Sequence, residues 1–449
     1  RLGTLSTQSS TVTRAMGGLF YGEFGKKART RHMGAQSQDN ATSRKSGYAG
    51  PMDASALSVS PADAAQGYAD YPSFTVTAAD HHFTFHPGGA ERFDALLGLI
   101  AGAQHSLEVF YYLFDDDASG TAVRDALIAA AARGVAVHLI VDDFGNDAGA
   151  DFFAPLIAAG GRFAIFSPRW GKRYLVRNHQ KLAIADGVRV MTGGANVSDH
   201  YFNPPARNGW CDLAVVIEGP VVAKFVEWFG LLARWVEGEA QGRINQLRRL
   251  REFVQQWDGG DGPVQLLVGG PLVRHGHWAS LFSRDLRRAR RLDTVSAYFS
   301  PPRSFRRQVA DIARRGPVRM VMPGKSDIAA AIDMARLLYR SLLKAGVRLC
   351  EFTPCKLHMK LLVVDDISYV GSANLDKRSF RVNIELMVRI EDAALAAQLR
   401  GLIDHLEAAS VPVTPAWYAK RATWYNRLRW LLVYWLSLAD YRISRAGAG

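Results

Sequence analysis

The chain has 449 residues, enough for two hydrophobic cores of ordinary size. A formal charge of +13 and a pI near 9.7 suit a polyanionic partner, nucleic acid or an anionic membrane surface, without choosing between them. Three cysteines without framework spacing argue against a disulfide scaffold, and no apolar run reaches the ~20 residues of a spanning helix, so a soluble or peripheral protein is expected.

Residues 1–70 are rich in Ser, Thr, Ala and Gly and show no sustained hydrophobic period, which predicts an extension that is disordered or extraneous to the fold. Basic and poor in acids, this stretch bears a weak likeness to a transit peptide. From 71 to 236 a first lobe is expected. Its strands lie at Leu107–Phe114, Val135–Val141, Arg162–Phe166 and Leu213–Ile217, with helices at Thr121–Arg133 and Phe152–Ala159. A linker over 237–262 carries Arg243, Arg248, Arg249 and Arg251 and ends in Gly-Gly-Asp-Gly-Pro, a composition that suits a lobe boundary.

The second lobe, 263–411, repeats the plan. Strands are expected at Thr294–Phe299, Val318–Met322, Val347–Phe352 and Leu386–Ile390, and helices at Ser304–Arg315 and Ile328–Lys344. The fold class is therefore α/β: two similar lobes, each a mixed sheet flanked by helices, with the active site between them. From 412 to 449, Trp and Tyr interleave with Arg and Lys before Leu431-Leu432-Val433-Tyr434-Trp435-Leu436, the composition of an interfacial helix on an anionic membrane; a terminal helix docked on the core is the competing reading.

One phrase occurs twice. His179-Gln180-Lys181, Asp186 and Gly193-Gly194-Ala195-Asn196 form His-x-Lys-x4-Asp-x6-Gly-Gly-x-Asn. His358-Met359-Lys360, Asp365 and Gly371-Ser372-Ala373-Asn374 form His-x-Lys-x4-Asp-x5-Gly-Ser-x-Asn. In an extended segment the His and Lys of each copy point the same way, so two such strands side by side bring two imidazoles and two ammonium groups into one pocket. That chemistry fits a phosphodiester. A neutral imidazole attacks phosphorus, and the other, protonated, serves the departing alkoxide and later takes a proton from the acceptor. Lys181, Lys360, Asn196, Asn374 and the Ser372 hydroxyl are expected to hold the non-bridging oxygens. The lysines supply the positive charge, so no metal and no other cofactor is required, and no cluster with metal-ligand spacing is seen.

Aligning the copies places Asp212 and Glu385 at matching positions, as acids that would orient the catalytic histidines. Asp186 and Asp365 are expected to brace the fold and the lysines. Asn383 is a candidate pocket residue, with Trp210 in its place in the first lobe. The segment Arg169–Arg177 is a candidate entrance loop.

The paired motif resembles the signature of the phospholipase D superfamily. Val109-Phe110-Tyr111-Tyr112-Leu113-Phe114, Trp210-Cys211-Asp212-Leu213, Glu218-Gly219-Pro220 and Gly371-Ser372-Ala373-Asn374-Leu375-Asp376 are further similar to the bacterial cardiolipin synthases, in their short type. The resemblance runs from about Phe83 to Val411 and implies catalytic roles for His179, Lys181, Asp186, His358, Lys360 and Asp365, with His179 as nucleophile and His358 as general acid and base. It also implies phosphatidyl transfer to phosphatidylglycerol, from that lipid or from phosphatidylethanolamine, by a peripheral enzyme at the cytoplasmic face of the bacterial inner membrane. A hydrolase of lipid or nucleic acid phosphodiesters is the alternative. The basic charge suits nucleic acid, but the aromatic tail suits lipid better. A membrane-binding module with a dead site is disfavoured because both motif copies are complete. Oligomeric state is not legible.

Overall fold

The computed structural model describes residues 67–146, 148–167, 176–238, 246–270 and 277–448. Two eight-stranded sheets are built to one plan. The first consists of β1 (Phe74–Ala78), β2 (His81–His86), β3 (Ser106–Tyr111), β4 (Ala136–Asp142), β5 (Arg162–Phe166), β6 (Lys181–Ala185), β7 (Arg189–Gly193) and β8 (Ala214–Glu218), in the order β1-β2-β8-β7-β6-β3-β4-β5. The second comprises β9 (Val264–Gly269), β10 (Leu292–Ser296), β12 (Val318–Pro323), β13 (Arg348–Phe352), β14 (Lys360–Val364), β15 (Ile367–Gly371), β17 (Glu385–Glu391) and β18 (Ser410–Pro412), in the order β18-β13-β12-β10-β14-β15-β17-β9. Short strands β11 (Phe299–Ser300) and β16 (Leu375–Asp376) pair separately.

In each sheet three strands run parallel (β3, β4, β5; β10, β12, β13) and the motif strand joins them antiparallel. The motif strands β6 and β14 are buried at every residue. Both faces must therefore be covered, which is why Leu182-Ala183-Ile184 and Leu361-Leu362-Val363 show no polar alternation.

Helices α1 (Gly89–Gly102), α2 (Ala118–Ala132) and α3 (Ala150–Ala158) cover the outer face of the first sheet through Leu96, Leu99, Val123, Leu127, Phe153 and Leu156. The short α4 (Asp199–Phe202) follows the first motif. Helices α5 (Val222–Glu237) and α6 (Gln246–Gln256) belong to a core shared by both sheets, with Trp228, Leu250 and Val254 packed among residues of either. Helices α7 (His277–Arg288), α8 (Arg303–Ala313) and α9 (Ala329–Lys344) cover the outer face of the second sheet. After α10 (Lys377–Arg381), α11 (Ala393–Ala408) enters the shared core, and α12 (Pro415–Arg421) and α13 (Trp424–Ala448) end the described chain. The layers alternate helix, sheet, helix, sheet, helix.

Some elements were not legible. The β1–β2 hairpin turns at Ala79 and Asp80, both at positive φ (48° and 60°), without the Asn-Gly that advertises such a turn. The basic stretch at Arg248–Arg251 is no loose linker. It lies on α6, whose Leu250 and Val254 are fully buried. The N-terminal boundary also moves: Tyr68 meets Phe352 at 5.1 Å between ring centroids, and His405 Nε2 contacts the Ala69 carbonyl at 2.9 Å, so residues 68–70 pack on the fold. Residues 1–66 of the expected extension lie outside the described residues.

Candidate functional site

The site forms where the carboxyl ends of the parallel strands meet the start of each motif strand, the usual ligand position of an open α/β sheet. Tyr111 at the end of β3 pairs with Lys181, and Ser296 at the end of β10 pairs with Lys360. The segments leading into the motifs then cross between lobes. Asn178 bridges Ile384, with His179 N donating to Ile384 O at 2.9 Å; Cys211 bridges Leu357, with His358 N donating to Cys211 O at 2.7 Å. Each bridge puts a histidine of one lobe next to the acid of the other.

The acids are thus exchanged. His179 Nδ1 lies 3.1 Å from Glu385 Oε2, and His358 Nδ1 lies 2.7 Å from Asp212 Oδ2. All four side chains are buried. Burial acts to raise the Asp212 carboxyl, but Lys360 and His358 outweigh it and the group ends below its ordinary range. Burial likewise opposes ionisation of Glu385, and His179, Lys181 and Ser372 overcome it. Both acids are therefore carboxylates, able only to accept, so each Nδ1 carries the hydrogen and each Nε2 is left as a base. Burial, then Lys181, holds His179 down to about 4; burial, then Lys360, lowers His358. At neutral pH the site holds two neutral imidazoles on two carboxylates.

Lys181 Nζ donates to the His179 carbonyl at 2.6 Å and faces the Tyr112 ring at 5.2 Å. Lys360 Nζ donates to the His358 carbonyl and lies 2.7 Å from His358 Nδ1 and 3.0 Å from its Nε2. Burial brings Lys360 down to about 8, and burial with the neighbouring Lys360 brings Lys181 well below its usual value. An anion between the lysines reverses this: it raises both, so protons are taken up on binding. Sulfate binding at pH 8.5 is accordingly expected to take up protons, read by calorimetry as an enthalpy that changes with the buffer's ionisation enthalpy. Equal enthalpies in two such buffers would contradict the charge state described here.

The glycines of the motif have a steric reason. A Cβ on Gly371 would sit 2.2 Å from the Leu386 carbonyl, and one on Gly193 would sit 2.3 Å from that of Leu213, so β15 could not close on β17, nor β7 on the chain entering β8. The next position separates the lobes. A Cβ on Gly194 would strike Asp212 Oδ1 at 2.2 Å, whereas Ser372 fits beside the longer Glu385. Ser372 corrects its expected role: its hydroxyl donates to Glu385 Oε2 at 2.6 Å rather than pointing at a phosphate oxygen. Ser379 and Asn383 contact the other oxygen of Glu385 at 2.8 and 3.2 Å, so Asn383 too braces the acid.

Asn196 donates to the Tyr201 hydroxyl at 2.9 Å, and the buried Oδ1 atoms of Asn196 and Asn374 have no partner among the described residues. Asp186 and Asp365 stand away from the histidines, at the far ends of β6 and β14. Asp186 accepts from the amides of Gln104, His105 and Ser106, and Asp365 from those of Arg290 and Arg291. These contacts are with the fold, and among the described residues neither carboxylate bonds to Lys181 or Lys360. Of the expected entrance segment, only Val176 and Arg177 lie within the described residues.

Several residues escaped sequence reasoning because one copy of a motif carries no signal for them. Tyr112 meets His179 at 4.9 Å, while Tyr201 and Tyr298 meet His358 at 5.2 and 6.1 Å. Arg92 on α1 is fully buried and donates to the carbonyls of Tyr201, Trp210, Asp212 and Pro87. It fixes the backbone that aims Asp212. Arg92→Ala is expected to cost at least about 3 kcal/mol of stability, because several buried carbonyls lose a charged partner. The denaturant midpoint checks this, and an unchanged midpoint would remove Arg92 from the framework.

A family profile described as "Cardiolipin synthase, PLD-like domain" matches residues 96–232 and 283–406. Cardiolipin synthase A of Pseudomonas syringae pv. syringae (strain B728a) is 31% identical over 325 residues, covering 70% of this chain and 66% of the relative. Cardiolipin synthase A of Pseudomonas entomophila (strain L48) is 31% identical over 324 residues with the same coverage. The chain thus spans just under two-thirds of the length of these relatives. Among solved structures, phosphatidylserine synthase of Haemophilus influenzae Rd KW20 superposes with a TM-score of 0.63 at 14% identity, over 86% of this chain and 99% of that one, a likeness of fold.

Proposed function

The chain belongs to the cardiolipin synthase, PLD-like domain family, and from that premise we propose that it is a phosphatidyltransferase making cardiolipin through a phosphohistidine. The exchanged histidine–carboxylate pairs around two lysines carry this reading. His179 Nε2 attacks the phosphorus of a donor phosphatidylglycerol, forming a P–N bond as the P–O bond to the headgroup breaks. Protonated His358 gives its proton to the departing glycerol oxygen. A hydroxyl of a second phosphatidylglycerol then attacks phosphorus, loses its proton to His358 Nε2, and releases His179. Lys181 and Lys360 stabilise the charge on the non-bridging oxygens. His179, held neutral by burial and Lys181 and with Glu385 on its Nδ1, is taken as the nucleophile.

Helix α13 supports a lipid substrate. Its inner face docks through Trp430 and Tyr434, with Arg429 paired to Asp333 and Lys377 donating to the Tyr434 hydroxyl at 3.0 Å. Its outer face exposes Trp424, Tyr425, Leu428, Leu431, Leu432 and Trp435. These recur at helical spacing, as a membrane-lying helix requires. Docking on the core and contact with a bilayer are thus compatible. No described helix is long and apolar enough to cross a membrane. We place the enzyme peripherally, at the cytoplasmic face of the bacterial inner membrane.

Purified protein with vesicles of labelled phosphatidylglycerol, beside His179→Ala, tests the function. Cardiolipin is expected only with His179 intact. Phosphatidic acid alone would make the protein a hydrolase, and no lipid turnover would leave a nucleic acid phosphodiester, which the charge of +13 also suits.

A further inference from the structure

Another cation stands close to the motif lysines. Leu357, Met359 and Leu361 turn into the core shared by the sheets, so Lys356, His358 and Lys360, on the alternate residues, turn the other way. Lys356 is half-buried, and its Nζ lies over the Trp210 ring, 5.1 Å from the centroid. The same indole meets the His358 ring at 5.7 Å and stacks on His200 at 5.1 Å and 11°. One indole therefore separates the ammonium from the imidazole that serves the alcohol.

Donors without acceptors gather around that indole. Among the described residues Lys356 bonds to no carboxylate, the His200 ring has no hydrogen-bond partner, and the buried Trp210 Nε1 meets no acceptor. Asp117, Asp199 and Asp327 act on His200 from nearby, but each is engaged elsewhere. Asp199 accepts from the Ser119 amide and hydroxyl, and Asp117 from the amides of Gly120 and Asp199. Asp327 accepts from the hydroxyls of Tyr298 and Ser326. The matching position in the first lobe differs. There Arg177 lies over the Phe144 ring at 3.8 Å, and its charge falls on the buried Asp142 carboxylate.

We propose that Lys356, with His200 on the same indole, binds the phosphodiester that the acceptor lipid itself carries. The inference rests on the lipid reading above and deepens it, by making an anionic phospholipid alcohol the preferred acceptor. Lys181 and Lys360 are occupied by the phosphate under attack. The glycerol whose hydroxyl attacks bears another phosphate at its far end, and two phosphates so close repel unless a cation meets the second. That phosphate belongs on the side of His358, which takes the proton of the attacking hydroxyl. A glycerol unit is comparable in length to the indole that lies between Lys356 and His358. Lys356 is therefore a specificity-determining residue, and its position decides between a lipid alcohol and an uncharged one.

Glycerol and glycerophosphoglycerol test this, since both offer a primary glycerol hydroxyl and only the second carries a phosphodiester. Wild-type enzyme acting on vesicles of phosphatidylglycerol is given both, deuterated to different masses and at equal concentration. Either hydroxyl forms a P–O bond as the P–N bond to His179 breaks, its proton going to His358 Nε2, and mass spectrometry resolves the lipid products. Transfer to glycerophosphoglycerol is expected to exceed transfer to glycerol by at least about tenfold. Lys356→Met keeps an apolar stem over Trp210 and should bring the ratio near unity, whereas Lys356→Arg should keep most of the preference. A ratio is read rather than a rate, so a general loss of activity does not imitate the effect. Lys356→Gln gives the same reading should Lys356→Met fail to fold.

A wild-type ratio near unity, or a preference that Lys356→Met leaves intact, would overturn the assignment and leave the synthase reading standing. Inorganic phosphate is the rival occupant. If it altered glycerol transfer in the wild type but not in Lys356→Met, with no preference for glycerophosphoglycerol, the site would belong to the free ion and the acceptor assignment would fall. Wild-type protein that turns over no lipid would overturn the synthase reading first, and the role of Lys356 with it.

Discussion

His179→Ala and His358→Ala are each expected to lower lipid turnover by roughly 10⁴- to 10⁶-fold, the scale seen when a covalent nucleophile or its proton partner is removed. Turnover alone does not separate the two roles. Bis(p-nitrophenyl) phosphate does, because nitrophenolate departs without a proton. With His358→Ala, His179 still attacks, about one equivalent of nitrophenolate is released in a burst, and the enzyme stalls as an acid-labile, alkali-stable phosphoenzyme. With His179→Ala no burst appears. The reverse pattern would exchange the histidines' roles. A burst in neither variant, with turnover still abolished, would remove the covalent intermediate.

The reason for expecting His179 to attack lies in an asymmetry that the two motif copies conceal. Lys360 Nζ lies 2.7 Å from His358 Nδ1 and 3.0 Å from its Nε2, whereas Lys181 has no hydrogen bond to the His179 ring among the described residues. Both lysines donate to the carbonyl of their own histidine, and His179 meets the Tyr112 ring at 4.9 Å. Its pKa, pushed down to about 4, keeps it neutral and nucleophilic across physiological pH. His358, also lowered by burial and Lys360, must gain a proton once substrate binds. The anionic phosphodiester between the lysines provides the charge that favours it.

How much of this could be read from the chain depends on whether a feature is repeated. His-x-Lys recurs, so its strand could be placed from spacing alone, but the two motif strands do not pair as expected: β6 lies between β7 and β3, and β14 between β10 and β15. The parallel strands β3–β5 and β10, β12 and β13 were legible because they are apolar runs between glycine turns. By contrast α5 and α11, which pack in the layer shared by both sheets, were not placed, although each carries a regular buried stripe (Phe225, Trp228, Phe229 and Leu232; Leu395, Leu399, Leu402 and Leu406). Arg92 illustrates a different limit. Its meaning is set by four backbone carbonyls more than a hundred residues away or across a turn, and no local pattern announces such a position. Ser372 shows the third kind: the residue was singled out, but its hydroxyl is spent on Glu385, a contact fixed by packing of β15 against β17.

The exchange of acids between lobes makes a separate expectation. Asp212→Asn and Glu385→Gln keep the shape of each pair and remove its charge, so the imidazolium that forms in catalysis loses its counter-ion. Each is expected to slow lipid turnover by about 10²- to 10⁴-fold, the range for an acid that orients a catalytic histidine. Sequence position alone would assign each acid to the histidine of its own lobe. The contacts of 3.1 Å and 2.7 Å assign it to the other. Bis(p-nitrophenyl) phosphate again distinguishes the two. Glu385→Gln weakens attack by His179 and should slow the burst itself. Asp212→Asn impairs His358, so the burst should persist at nearly its normal rate while the second step slows. If Asp212→Asn slowed the burst and Glu385→Gln spared it, either the pairs would act within their own lobes or the histidines would have exchanged roles. The His179→Ala and His358→Ala bursts decide between those two. A loss of activity shared equally by burst and second step in both variants, together with a lowered denaturant midpoint, would instead make the acids structural. The crossed pairs therefore tie catalysis to the contact between the lobes: neither sheet carries a complete histidine–acid pair of its own.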